Sequence, residues 1–580
     1  MRGKRRMPIS KGQRLLGRLE EVRGRFGAAQ AEHAERLLEA AGRLRVREPQ
    51  PLIRLHEALL FLRAFPASRS VVRLTEALLS SFHQRVEALR SAGVELTPLD
   101  PMEVSGIAGT VIEDSLNYDV SRWLLRRFPG RVDVVWDAYD KPTRLAEILP
   151  RFLPLLDDDA YVEADVPYAA WLRSARGRGG CDLAWLLVRF ERLPLSDREK
   201  AELFDSLELT VRWDLGTLRA SRTRNWRRPG RIFYHSRPFV RRNEVDLVRE
   251  MTVPLRVEQL SRRDGASVLD LMREVMTVRR RELWGTTHGD PAHVLRADVG
   301  RGLEIFLWGL PPERRLPLRA YVAGFSLKNG VPINYIEAIG LCEWLEVGFN
   351  TFYTFRDGES AWNYAQALRL LHQVLGVTCV AVYPYQIGEQ NEEAIESGAF
   401  WFYRKLGFRP GRPELLRIAE SEERRIAATP GYRTPARTLR RLAAGHMFLE
   451  LPGSSRGCWD RFRARNIGFA VQRHMAAQWG GDASGMRAGS ATAVSRALGV
   501  PVDSWAGHAR KALEDLSPVL ALVPGLAGWT NEEKRALVRV VRAKGGSTEA
   551  GYLRLMGRHQ KLRDAIVRLG SKPPDLGRKF

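Results

Sequence analysis

No apolar run in this 580-residue chain reaches the roughly 18 to 20 residues that cross a bilayer, so a membrane span is not expected. Cysteine is scarce. Cys181, Cys342, Cys379 and Cys458 lie far apart with no Cys-x-x-Cys pair. That argues against a disulfide framework and points to a reducing cytoplasm. The 11 histidines are scattered, none at metal-ligand spacing from another histidine or cysteine, so no structural zinc is expected. Lysine is rare as well, 12 against 80 arginines. The basic start, Met1-Arg-Gly-Lys-Arg-Arg-Met-Pro8, has no apolar stretch or small-residue cleavage site behind it and does not read as a secretory signal.

Hydrophobic residues make up 44% of the chain and charged residues 28%, the proportions of a globular protein. This length implies two to four domains. The net charge is 92 − 68 = +24. Two causes compete for it: the chain-wide arginine preference that a GC-rich coding sequence produces, and a polyanionic partner such as nucleic acid.

Residues 1–50 read as a basic helical leader, with Leu15, Leu16, Leu19, Val22 and Phe26 at helical spacing and Pro49-Gln-Pro51 as its boundary. Residues 51–245 read as a mostly helical domain, with helices ending at Pro66 and running over Ser70 to Ala92, Asp119 to Phe128 and Arg144 to Leu155. Asp157-Asp-Asp159 with Glu163 and Asp165 is the one acidic cluster. Its oxygens suit a hard cation, but its spacing is not that of an EF-hand, and a solvated loop is the preferred reading. Arg219 to Arg242 holds nine arginines and no acid, with Trp226, Phe233, Tyr234 and Phe239 interleaved. Guanidinium–phosphate pairing and base stacking would make this a nucleic-acid contact. A connector whose arginines meet acids of flanking domains is the other reading.

Residues 250–453 change character. Thr252 to Leu260 reads as a strand and Asp264 to Leu283 as a helix. Strands follow at Glu304 to Leu310, Leu318 to Leu327, Val331 to Gly340 and Val347 to Phe355, with Asn329-Gly330 as a hairpin turn. Next come a helix over Ala361 to Leu375 and a β-rich run from Thr378 to Tyr385. A short apolar helix closed by Gly407 and a strand from Phe408 follow. A helical insertion over Pro413 to Ala444 precedes a last strand, His446 to Leu451. Residues 454–580 return to helices, including one opened by the capping box Thr530-Asn-Glu-Glu533.

The order strand, Gly-containing turn, helix, strand, helix ending in Tyr403-Arg-Lys-Leu-Gly-Phe408 resembles the second half of the GNAT fold, the acyl-CoA-dependent N-acyltransferases. Ala399 falls where that family has a small residue. Glu396 stands in place of its usual Asn. In the pyrophosphate loop Arg356 and Ala361 fit, but Glu359 occupies the inner glycine position and the glycine is displaced to Gly358. The resemblance implies an α+β chain: a GNAT-like central domain, mostly antiparallel, between N- and C-terminal all-helical domains.

It further implies acetyl-CoA or another acyl-CoA as cosubstrate, held by Phe349, Thr351 and the loop Arg356, Asp357, Gly358, Glu359, Ser360 and Ala361. Helix N-termini suit such phosphates. A main-chain N–H near Phe349 to Thr351 is the expected oxyanion donor. Tyr403 is the expected general acid for the departing thiolate, and Glu346 and Glu337 are candidate bases. Glu343 reads equally well as a surface residue. The polar runs Gly348 to Asn350 and Tyr385 to Asn391 sit at strand ends, where an amine acceptor would be read. A catalytically degenerate platform for nucleic acid or protein is the competing function. Fem-like aminoacyl transfer from tRNA is a third, but those enzymes carry two such domains and one is found here.

Overall fold

The computed structural model describes residues 11–153 and 167–573. The basic residues 1–10, the acidic cluster from Asp157 to Asp165 and the tail 574–580 lie outside the described residues. The chain is α+β and divides into two compact units. One comprises Met1–Pro229, Tyr234–Arg237 and Asp270–Thr287; the other comprises Gly230–Phe233, Pro238–Leu269 and His288–Phe580. Among the described residues no helix is long and apolar enough to cross a membrane.

The first unit is helical at its start. Pro49 and Pro51, read as a boundary, instead open the helix Pro49–Ala64, where a missing N–H costs nothing. Leu52, Leu55, Leu59, Leu60 and Phe61 are all buried, so this helix is enclosed on most sides. The all-helical expectation is corrected further along. β1 (Val111–Ser115), β2 (Val132–Val134) and β3 (Thr210–Asp214) form an antiparallel sheet in the order β1-β3-β2. Trp213 of β3 is fully buried in a core with Tyr118, Phe190 and Phe204. Two of these strands are short and half polar, which leaves almost no period-two signal to read.

The second unit is built on nine strands. They are β4 (Glu258–Gln259), β5 (Leu295–Asp298), β6 (Leu303–Trp308), β7 (Ala320–Lys328), β8 (Val331–Leu341), β9 (Trp344–Thr351), β10 (Cys379–Val382), β11 (Arg409–Pro410) and β12 (Met447–Glu450). Their order is β11-β12-β10-β9-β8-β7-β6-β5-β4. Every ladder is antiparallel except β9–β10. β7, Ala-Tyr-Val-Ala-Gly-Phe-Ser-Leu-Lys, is buried along its whole length, as a central strand covered on both faces must be. Asn329 and Gly330 both take positive φ, 48° and 80°. Those are the dihedral signs of the two-residue turn that joins twisted strands without splaying them.

Four expectations differ in detail. Thr252 to Leu260 is not a strand: the helix Leu247–Thr252 ends there and only Glu258–Gln259 pairs. β5 is an unread strand, because its sequence Leu-Arg-Ala-Asp is too short to show a pattern. β9 stops at Thr351 and gives way to a 3-10 turn, Tyr353–Phe355. The apolar helix before Gly407 is two helices, Glu392–Glu396 and Ala399–Arg404, split at Gly398 with φ 68°. The helix Ser360–Leu375 ends at Gly376 in the left-handed region. Thr530 and Glu533 form the reciprocal capping box of Asn531–Lys544.

Candidate functional site

The parallel ladder is short. Trp344 pairs with Cys379, Leu345 with Val380 and Glu346 with Ala381. β10 then ends, because Pro384 brings no N–H and the chain coils into the turn Pro384–Ile387. β9 runs on to Thr351, paired with β8 alone. The two strands therefore part, and a cleft of about 340 Å³ opens at their ends.

Backbone direction follows from the flanking bonds. The Glu343 carbonyl accepts from Thr378 at 2.9 Å and Cys379 at 3.1 Å on the β10 side, whereas Phe352 N–H donates to Ile333 of β8 at 3.0 Å. Main-chain polar groups alternate sides along a strand. Val347, Phe349 and Thr351 thus turn their N–H groups toward the β10 side, past its last paired residue.

The cleft is lined by Phe349, Asn350, Thr351, Arg356, Ser360, Tyr385, Gln386, Asn391, Glu393 and Tyr403, among others. Five residues singled out from sequence therefore meet: Phe349, Thr351, Arg356, Ser360 and Tyr403. Arg356 is half exposed. It lies 3.9 Å over the Tyr353 ring and pairs with Glu393 at 2.5 Å. An ion pair this exposed is worth little and yields readily to a phosphate. Ser360 opens the helix Ser360–Leu375, whose first N–H groups and positive dipole end face the loop.

Tyr403 is buried, with its ring edge-on to Tyr364 and Phe408. Its hydroxyl has no hydrogen-bond partner among the described residues, and burial pushes its pKa up, so it stays a protonated donor.

The remaining loop residues are placed differently. Asp357 is exposed and Gly358 half-buried. Ala361 is buried. Glu359 turns away from the cleft: its carboxylate accepts from Lys328 Nζ at 3.0 Å, from Val240 N–H at 3.1 Å and from Arg301. Burial pushes this carboxyl up, but the three donors outweigh it and hold the pKa below the ordinary range. The negative charge at the inner glycine position of the loop is thus neutralised inside the protein.

Glu337 and Glu346 do not line the cleft. In register, Glu337 stands opposite Gly348 and Ile339 opposite Glu346, so both acids share one sheet face with Gly348 and Asn350. Glu337 accepts from the Tyr321 hydroxyl, and burial raises its pKa. Glu346 Oε2 lies 3.1 Å from His446 Nε2. Glu343, allowed as a surface residue, is a clamp: it accepts from Trp459 Nε1 at 2.7 Å and from Arg563 Nε at 2.9 Å.

No protein-family model, curated protein or solved structure matches the chain. The site therefore rests on its own geometry. Sequence reasoning missed Gln386 and His446 as individual residues. Gln386 sits in a polar run already flagged, and its amide takes the space that a Gly348 side chain would fill: a Cβ there would lie 3.0 Å from Nε2. His446 gave no signal, being a lone histidine at a strand start.

The Arg219 to Arg242 stretch is mixed. Arg222 is buried and pairs with Glu57 at 2.8 Å. Buried Arg63 lies 5.7 Å over the Trp226 ring and donates to the Thr223 carbonyl at 2.9 Å. Arg219, Arg227, Arg228, Arg231, Arg237 and Arg241 are exposed.

Proposed function

We propose that the second unit is an acyl-CoA-dependent N-acyltransferase of the GNAT type, acting on an amine acceptor. One observation carries the reading. The cleft at the parting of the only parallel strand pair among the described residues is lined by Arg356, by Ser360 at a helix N-terminus and by a buried phenol, Tyr403. The departure at Glu359, which favours a degenerate platform, has another explanation in its burial with Lys328 and Arg301.

In this reading Arg356, Ser360 and the helix N–H groups bind the CoA phosphates. The thioester carbonyl accepts from the main-chain N–H of Phe349 or Thr351, which stabilises the developing oxyanion. Glu337 or Glu346 takes a proton from the ammonium. The neutral amine attacks the carbonyl carbon, the C–S bond breaks as Tyr403 gives its proton to the thiolate, and the second proton that the nitrogen sheds restores the phenol. The products are an amide and free CoA.

Titration calorimetry with acetyl-CoA tests this. Micromolar binding is expected, weakened about 10- to 100-fold in Arg356→Ala, since a hydrogen bond to a charged group contributes about 1.5–3 kcal/mol. No heat at millimolar acetyl-CoA would overturn the reading and leave the nucleic-acid platform to be tested by salt-dependent binding.

A further inference from the structure

Two carboxylates lie on the sheet face that meets the cleft. Glu337 lies on β8, one strand away from the parting, and is engaged by the Tyr321 hydroxyl. Glu346 is the last residue of the parallel ladder, where β10 leaves β9. One two-residue step along β9, about 6.6–6.8 Å, brings its face to Gly348, where the Gln386 amide packs and the cleft begins. Glu346 keeps 19% of its side chain accessible, and His446 keeps 10%.

His446 is held on several sides. Its ring stacks on Phe448 and meets Tyr383 edge-on at 5.4 Å between centroids. Nε2 faces Glu346. Nδ1 is buried and has no partner. That pattern selects a tautomer. With Nε2–H donated to the carboxylate, Nδ1 is only an unused lone pair. Arg463 lies within Coulombic range of Glu346 and is itself in range of Arg412, Arg465 and Asp460. Tyr383, edge-on to the His446 ring, is 47% exposed. A carboxylate and an accessible aromatic ring against the same histidine fit a cation.

We infer that Glu346 and His446 form the acceptor's ammonium site: Glu346 accepts the amine proton, His446 holds the carboxylate by Nε2–H, and the acceptor is a primary alkylammonium. The inference rests on the acyltransferase reading. The proton balance is one for one: R–NH3+ and the carboxylate give R–NH2 and the carboxylic acid. His446 is a positioning residue and exchanges no proton with the amine.

The test is thiol release from acetyl-CoA with n-butylamine as surrogate acceptor. It is run on the full chain beside acetyl-CoA calorimetry on each variant. Wild type is expected to release thiol in proportion to butylamine. Glu346→Gln should lower kcat 10²- to 10⁴-fold at unchanged acetyl-CoA affinity, which also reports an intact fold. His446→Phe should lower kcat at least tenfold, and His446→Gln, which keeps an N–H toward Glu346, should recover most of it. Three results overturn the inference: acetyl-CoA binding without butylamine-dependent release, Glu346→Gln within threefold of wild type, or His446→Phe and His446→Gln impaired alike. Failure of wild type to bind acetyl-CoA instead overturns the acyltransferase reading beneath it.

Discussion

Glu359 gives the sharpest test of how the loop is built. Its side chain is 3% exposed and that of Lys328 2%. Lys328 Nζ donates to it at 3.0 Å and also to the Arg301 carbonyl at 2.8 Å. The Phe233 and Trp362 rings lie 5.5 and 5.9 Å from the ammonium. Burial pushes Lys328 down to about 8 against the pull of Glu359, so it is still protonated at neutral pH. Glu359→Ala leaves that charge buried without its carboxylate. Breaking a buried pair from one side costs about 3–5 kcal/mol. At about 2 °C per kcal/mol, the lower end for a unit this large, the Tm of the second unit falls about 6–10 °C. The loss is pH-dependent with a defined sign. Because the folded pKa of Glu359 is depressed, its contribution is present above the unfolded value of about 4.3 and is lost as pH falls through the folded one. Wild type and variant should therefore converge in acid. Thermal unfolding followed by circular dichroism at pH 7 and along an acid series reads this directly. A variant within 2 °C of wild type at pH 7 would refute the buried-network argument. So would an unchanged Tm with tenfold tighter acetyl-CoA, the signature of a carboxylate facing the pyrophosphate.

Three further outcomes are expected. Tyr403→Phe should lower kcat for thiol release by about 10²- to 10⁴-fold. It should leave Tm unchanged, since the lost hydroxyl strands no partner among the described residues. Gly324→Ala should destabilise the sheet by about 1–3 kcal/mol or more in denaturant unfolding, because its Cβ would stand 2.5 Å from Leu307 Cδ2 and closer still to the Phe306 carbonyl oxygen. Thr530→Ala removes the N-cap of Asn531–Lys544 and should cost about 1 kcal/mol by the same measurement, with no change in acetyl-CoA affinity.

Most of the second unit was legible because its signals are local. β7 and β8 are long apolar runs joined by Asn329-Gly330, the helix Ser360–Leu375 shows its period and its glycine stop, and the Thr530 box is four residues long. The cleft was half legible for the same reason. Phe349, Thr351, Arg356, Ser360 and Tyr403 sit at element ends that a linear pattern marks. β1, β2 and β5 were lost to brevity, since three to five residues cannot display a period. Residue type was readable there, but side-chain direction was not, and direction decides what Glu359 does.

The same limit governs the charge. Lys328 and Glu359 are 31 positions apart, Arg222 and Glu57 165, and Arg563 and Glu343 220. In each pair at least one member is nearly fully buried, and nothing within a turn or a strand of either residue announces the other. A net charge of +24 therefore does not translate into a uniform basic surface. Arg63, Arg222 and Arg279 are buried, and burial lowers the pKa of Arg63 and Arg279, so they hold the interior together and offer nothing to a polyanion. Without Arg222, the Arg219 to Arg242 stretch has six exposed arginines and the half-buried Arg224 and Arg242 to offer a nucleic acid. Each phosphate contact adds about one unit to the slope of log affinity against log salt. The slope such a contact can show is thus bounded by those eight rather than by the nine in the sequence.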